Sequence, residues 1–365
     1  MRHIVGFVCC VAVLGALLFL AASLSAQPTG TPITAHTTLA AGQSGRIGFE
    51  TITLSPAQFL KGVKERPQSL IWGDLVLPPM VTWGEFLVPN EYLERRPAVI
   101  LVHGEDGVGT QEAQWAAMLH DMGVPTFILD SFTGRGFRRS FDATNTLSQE
   151  AMIVDVYRAL ALLSTHPRID PSRIALMGFS QGGTVALYAS LMRFRGLYGP
   201  ADREFAAYLA FYPLCNTTYL DDERVSDRPI RLFHGSADTI APLSSCRAYV
   251  ERLRAAGKDA QLTEYPGAHH RFDVPDLSSV QDVPEFPNRS RCVYVERSPG
   301  QLVNGATAQP IAVTDSCVRP GGTIGYDPPA HRQAGEAVKD FLTATFRQHS
   351  GALSMTDALR PGQSR

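Results

Sequence analysis

The string Gly178-Phe179-Ser180-Gln181-Gly182-Gly183 follows the apolar run Ile174 to Met177 and opens the helical stretch TVALYASLM. A serine on such a strand-to-helix turn takes a strained backbone that pushes its side chain over the sheet edge, and the flanking glycines avoid Cβ clashes. The same turn sets the N–H of Gln181 at a helix N-terminus, where it can donate to a developing negative charge. A serine hydroxyl is a weak nucleophile, so it needs a general base and a third group to hold the tautomer of that base.

Partners for a serine on this kind of turn follow it in the order Ser, Asp, His. RPIRLFHGSADTIAP ends a strand near His234 and offers Asp238, whose blander role would be to cap the helix starting near Pro242. EYPGAHHRFD carries His269 and His270, and spacing alone does not choose between them. His103 and His234 sit at strand ends beside glycine and read as local hydrogen-bonders. The turn in VILVHGEDGVGT supplies a second oxyanion donor through the backbone of Glu105, and a carboxylate of Glu105 or Asp106 pointing inward would disfavour anionic substrates. This turn lacks the third glycine of a dinucleotide loop and no Gly-Lys-Ser/Thr follows it. No carboxylate cluster with ligand spacing accompanies the histidines, so neither metal nor organic cofactor is expected. Arg135 in DSFTGRG is a possible holder of a substrate carboxylate, against the plainer reading that it ties its own loop to a carbonyl or to Asp130.

These side chains need a scaffold. Strand runs PAVILVHG, PTFILD, RIALMGFS, YLAFYP, IRLFHG and QLTEYPG alternate with helices predicted at 111–121, 147–165, 181–193, 243–256 and 330–347. Continuous apolar strands between amphipathic helices predict an α/β fold, with a mostly parallel sheet covered on both faces. LIWGDLVLPP and VTWGEFLVP read as a hairpin or two edge strands ahead of it. Residues 273–328 break the rhythm and read as a surface insertion before the final helix.

The 365 residues, 44% apolar and 19% charged with a net charge of −2, describe a globular chain without the basic surface that nucleic acid requires. Arg2 followed by the uncharged run Ile4 to Ala22 and small residues reads as a signal peptide over 1–26. Membrane contact is then transient; an uncleaved anchor is the weaker alternative. Cys9 and Cys10 belong to that leader, while Cys215, Cys246, Cys292 and Cys317 remain. In an exported chain these four favour disulfides, and proximity favours Cys215 with Cys246 and Cys292 with Cys317, the latter stapling the insertion. The domain reading is a lead-in over 27–69, a catalytic domain over 70–350 and a tail over 351–365. Oligomeric state is not legible.

Taken in order, the His103-Gly104 turn, DSFTGRG, GFSQGG, HGSADTIAP and YPGAHHRF resemble the α/β-hydrolases, and within them the dienelactone hydrolase-like branch, over roughly residues 70–272 and the last helix. The resemblance implies His270 as base, Asp238 as acid and the amides of Glu105 and Gln181 as oxyanion donors. Members acting on dienelactones carry cysteine where Ser180 stands, and GFSQGG is closer to carboxylesterases and acyl-thioesterases. The expectation is an exported serine hydrolase acting on a small-molecule ester. The alternatives are a peptidase of the same superfamily, which lacks support because 70 residues cannot form a gating propeller, and a non-catalytic scaffold, against which all three triad residue types stand in order.

Overall fold

The computed structural model describes residues 33–63, 80–89, 94–138, 147–312 and 314–358. The expected leader and the segment LIWGDLVLPP lie outside the described residues. The first elements are β1 (Gly45–Thr51), α1 (Pro56–Leu60), β2 (Met80–Leu87), β3 (Arg96–Val102), α2 (Thr110–Asp121), β4 (Thr126–Asp130), α3 (Gln149–Leu163) and β5 (Ile169–Phe179). They are followed by α4 (Gln181–Tyr188), α5 (Met192–Tyr198), β6 (Tyr208–Phe211), the short β7 (Thr217–Thr218), β8 (Ile230–Gly235), α6 (Leu243–Ala255) and β9 (Ala260–Tyr265).

Eight strands form one sheet in the order β1-β2-β4-β3-β5-β6-β8-β9. The pairs β1/β2 and β2/β4 are antiparallel, and every later pair is parallel. This is the α/β-hydrolase fold. The apolar run of β3 is buried on both sides: Ala98, Ile100 and Val102 join the cluster shared with α3, α4 and α6, while Val99 and Leu101 join the one shared with α2. A strand whose alternate residues serve two cores has no polar face, which is why it reads as a continuous apolar run. The order reverses beside β3, where β4 and β5 leave on opposite sides. Such a switch point opens a crevice at the carboxyl ends of the strands.

The sheet begins earlier than the expected boundary at residue 70. β1 lies inside the predicted lead-in and is the partner of β2, with Ile47, Phe49 and Thr51 buried and Arg46 and Glu50 exposed. Two glycines and two charges interrupt its apolar content, so the segment carries no strand pattern. The following α1 is capped reciprocally, Gln58 N donating to Ser55 Oγ at 3.3 Å and Ser55 N to Gln58 Oε1 at 2.9 Å. The predicted helix 181–193 is two, because Leu191 between α4 and α5 is extended.

The insertion is built from short pairs: β10 (Gln281–Asp282) with β15 (Thr323–Ile324), β11 (Pro287–Asn288) with β14 (Arg319–Pro320), and β12 (Tyr294–Ser298) with β13 (Gln301–Asn304). β12 also extends parallel to β7, which anchors the insertion to the loop after β6. Disulfides join Cys292 to Cys317 and Cys215 to Cys246. Asn216 Nδ2 donates to the carbonyls of Arg289 and Cys292, and Asn288 Nδ2 donates to those of Thr239 and Gly321. Glu296, buried, pairs with Arg193 and accepts from Leu220 N at 3.0 Å. The chain then enters α7 (Pro328–Ala358), which runs past the predicted end at 347 and packs Ala334, Val338 and Leu342 on the α2 side of the sheet.

At the start of α2 the Glu112 carboxylate accepts from Gly109 N at 2.8 Å while only 2% exposed. Burial pushes its pKa up to about 7, against the pull of the Gly109 and Glu112 amides. A folded value above the ordinary 4.5 means that folding binds a proton, so this contribution to stability is full below that pH and is lost as pH rises through about 7. Glu112→Gln, which stays neutral, is therefore expected to match the parent chain near pH 4.5 and to exceed it by about 3 kcal/mol at most in alkaline buffer. Denaturant midpoints at acidic and alkaline pH check this; a gap that does not widen with pH contradicts it.

Candidate active site

Ser180 joins β5 to α4 with φ 54° and ψ −114°, a conformation that side chains other than glycine rarely adopt. The turn is held by Ser180 N donating to Phe211 O at 3.0 Å and Thr184 N donating to Ser180 O at 2.8 Å. Its glycines are steric necessities. A Cβ at Gly178 would lie 2.0 Å from Gly182 O, and one at Gly182 would lie 2.2 Å from Val102 O, so α4 could not approach the sheet. Gln181 is the first residue of α4, and its N–H has no acceptor within the helix.

The loop after β8 delivers Asp238, whose side chain is wholly buried. Its Oδ1 accepts from the N–H groups of Ile240 and Ala241, both at 2.8 Å. Oδ2 lies 2.7 Å from His270 Nδ1 and 3.4 Å from His234 Nε2. Burial alone would raise this carboxyl, but the charge of His270 and the hydrogen bonds of His234 and His270 hold it well below the usual carboxylate range. The other ring nitrogen of His270, Nε2, is 2.9 Å from Ser180 Oγ. Ser180, His270 and Asp238 thus form one unbroken line of hydrogen bonds across three loops at the carboxyl ends of β5, β9 and β8.

The adjacent His269 turns the other way, its Nδ1 2.8 Å from Thr323 Oγ1 in the insertion. His103 and His234 make local bonds, through Nδ1 to Gly104 O at 2.7 Å and through Nε2 to Ala241 O at 2.8 Å. Thr323 N also donates to Thr239 Oγ1, and Gly325 N donates to His270 O, so the insertion is bonded to both the acid loop and the histidine loop.

Gly104, before Glu105, packs on the serine: a Cβ there would lie 3.4 Å from Ser180 Cβ. The Glu105 side chain is largely buried beside the site, its Oε1 3.9 Å from Arg289 Nη1. Burial raises its pKa, while Arg289 and His270 oppose the rise. Asp106 turns to the rim and pairs with Arg271 at 2.7 Å. Two cavities, of about 500 and 210 Å³, are both lined by Ser180 and His270.

Arg135 is not among the residues lining these cavities, and of its two readings the plainer one, a tie of its own loop, is what its bonds describe. Its guanidinium forms a bidentate pair with the buried Asp155 at 2.7 and 2.8 Å, and donates to Ser131 O and Thr53 Oγ1. Every arm of the fork serves to fasten its loop to α3 and the segment after β1. Asp130 likewise caps its own loop, accepting from the amides of Phe132 and Thr133.

Several site residues had no signal in the sequence. Phe286, Arg289 and Tyr294 reach the cavities from the insertion, which carries no family-like string. Tyr212 packs its ring 4.6 Å from that of His270, and its hydroxyl donates to the buried Asp273 at 2.7 Å. Its φ of 37° marks a second strained position beside the histidine.

A model of the dienelactone hydrolase family matches residues 86–346. Acyl-protein thioesterase 1 of Gibberella zeae is 32% identical over 120 residues, which is 31% of this chain and 47% of that protein. The enzyme of the same name from Neurospora crassa is 25% identical over 160 residues, 43% of this chain and 61% of its own. The chain therefore spans less than two thirds of the length of these curated relatives. Among solved structures, a dienelactone hydrolase-like promiscuous phosphotriesterase from metagenomic libraries aligns with 82% of this chain and 99% of its own, at 17% identity and a TM-score of 0.49. Esterase 2 of Thermogutta terrifontis aligns with 53% and 80%, at 19% identity and a TM-score of 0.42. With most of the catalytic fold inside the matched span, this chain belongs to the dienelactone hydrolase family of α/β-hydrolases.

Proposed function

We propose that the chain is an exported serine hydrolase that cleaves small carboxylic esters through an acyl-enzyme. The observation that carries this reading is the hydrogen-bonded line from Ser180 Oγ through His270 to Asp238. His270 Nε2 takes the hydroxyl proton as Oγ bonds to the carbonyl carbon, and the carbonyl π electrons move onto oxygen. The resulting anion faces the N–H groups of Glu105 and Gln181, each donor contributing on the order of 3 kcal/mol. Collapse expels the alkoxide, which takes the proton from His270. Water then repeats the sequence on the acyl-enzyme, giving up its proton to His270, and Ser180 leaves with that proton restored. Asp238 keeps the proton of Nδ1 in place and stabilises the imidazolium formed in each half.

Two disulfides and the apolar leader Ile4 to Ala22 support export, since disulfides persist in oxidising compartments. The triad needs no metal or organic cofactor.

The purified protein is expected to hydrolyse short p-nitrophenyl esters and to be labelled by a fluorophosphonate on the peptide containing Ser180. Ser180→Ala should lose nearly all of that rate, and equal rates would end the proposal. Asp238→Asn leaves the shape intact but removes the charge and presents an amide to Nδ1. A fall in kcat of roughly 10⁴-fold is expected, read by steady-state kinetics against a far-ultraviolet spectrum that does not change.

A further inference from the structure

Asp273 is a fully buried carboxyl that the proposed reaction does not use, and it stands three residues after His270. Its Oδ1 accepts from the Tyr212 hydroxyl at 2.7 Å, and its Oδ2 accepts from Gln111 Nε2 and Trp115 Nε1 of α2 at 2.8 and 2.7 Å. Gln111 Nε2 also donates to the Tyr212 hydroxyl, which closes the network. A buried carboxylate met in this way cannot shift without leaving a lone pair unmet, so it fixes the chain that carries it.

Tyr212, directly after β6, is in touch with all three segments that bear the triad. The carbonyl of Phe211 beside it accepts from Ser180 N at 3.0 Å, and its own N–H donates to Phe233 O of β8 at 2.7 Å. Its ring lies 4.6 Å from the imidazole of His270, and its hydroxyl reaches Asp273 on the histidine segment. Tyr212 and Arg271 both have positive φ, 37° and 62°. Such backbone angles persist only where the surroundings hold them, so the histidine turn would relax if this anchor were released.

We propose that Tyr212 and Asp273 are positioning residues: their hydrogen bond sets the register between the serine turn and the histidine turn, and so keeps His270 Nε2 within reach of Ser180 Oγ. The inference rests on the catalytic reading above. Asp238 holds His270 at Nδ1, a single bond about which the ring can swing. The Tyr212 ring blocks that swing, and Asp273 secures the chain behind it. Proton transfer is sensitive to distance and angle, so drift of the imidazole is felt in kcat more than in binding.

Tyr212→Phe keeps the ring and deletes the bond to Asp273. Its kcat on p-nitrophenyl acetate is expected to fall by about tenfold or more with KM within about twofold of the parent. The downfield proton resonance of the His270–Asp238 hydrogen bond should broaden or vanish in the same variant. Asp273→Asn should give a similar fall, and the double variant should lose no more than the larger single loss, because both changes break one bond. Tyr249→Phe removes another buried hydroxyl, which donates to Asp222 O at 2.7 Å, and serves as the control for lost stability with unchanged kcat. If Tyr212→Phe loses thermal stability as Tyr249→Phe does while its kcat and its resonance match the parent, the positioning role is overturned. This variant decides alone where Asp273→Asn does not fold. Fully additive losses in the double variant overturn the link between the two residues. A parent protein with no turnover on any ester and no fluorophosphonate labelling overturns the catalytic reading, and this inference falls with it.

Discussion

The site hangs on the backbone of a single residue. Ser180 is held at φ 54°, a conformation that costs on the order of 1–3 kcal/mol and persists only where its surroundings over-determine it. Here the surroundings are α4 and the strands beneath it, brought so close that Gly178 and Gly182 leave no room for a Cβ. Relaxing the turn would require α4 to lift away from β3 and β5. The packing of the sheet is thus converted into the direction of one hydroxyl, and the first-turn N–H of Gln181 is aimed by the same geometry.

Electrostatics supply the second constraint. A fully buried carboxylate is expensive unless its lone pairs are met. Asp238 meets this with two backbone N–H groups on one oxygen and His270 on the other, and His234 adds a second ring nearby. Those bonds hold the orientation of His270, whose Nε2 lies 2.9 Å from Ser180 Oγ. Glu105, another carboxyl buried beside the site, is less closely supplied, its Oε1 3.9 Å from Arg289 Nη1.

Much of this arrangement was readable from residue order. The parallel strands are legible because burial on both faces demands unbroken apolar runs, and the order Ser180, Asp238, His270 is legible from the motifs that carry them. Choosing His270 over His269 needed the family pattern, since two adjacent histidines differ only in which way the turn points them, and that depends on Thr323 more than fifty residues away. β1 carries no strand pattern because two glycines and two charges interrupt its seven residues. The local sequence of Arg135 allows either a substrate holder or a loop tie, because a loop arginine gives no hint of a partner such as Asp155 on α3. The walls of the cavities were invisible for a related reason: the insertion holds its shape through a disulfide and side-chain amides, neither of which leaves a periodic trace.

The threads tying the insertion to Thr239, His269 and His270 have a dynamic corollary. Any outward shift of this cover must pull on the segments of chain that bear Asp238 and His270. Such a shift and an undisturbed line of bonds from Asp238 to Ser180 would exclude one another.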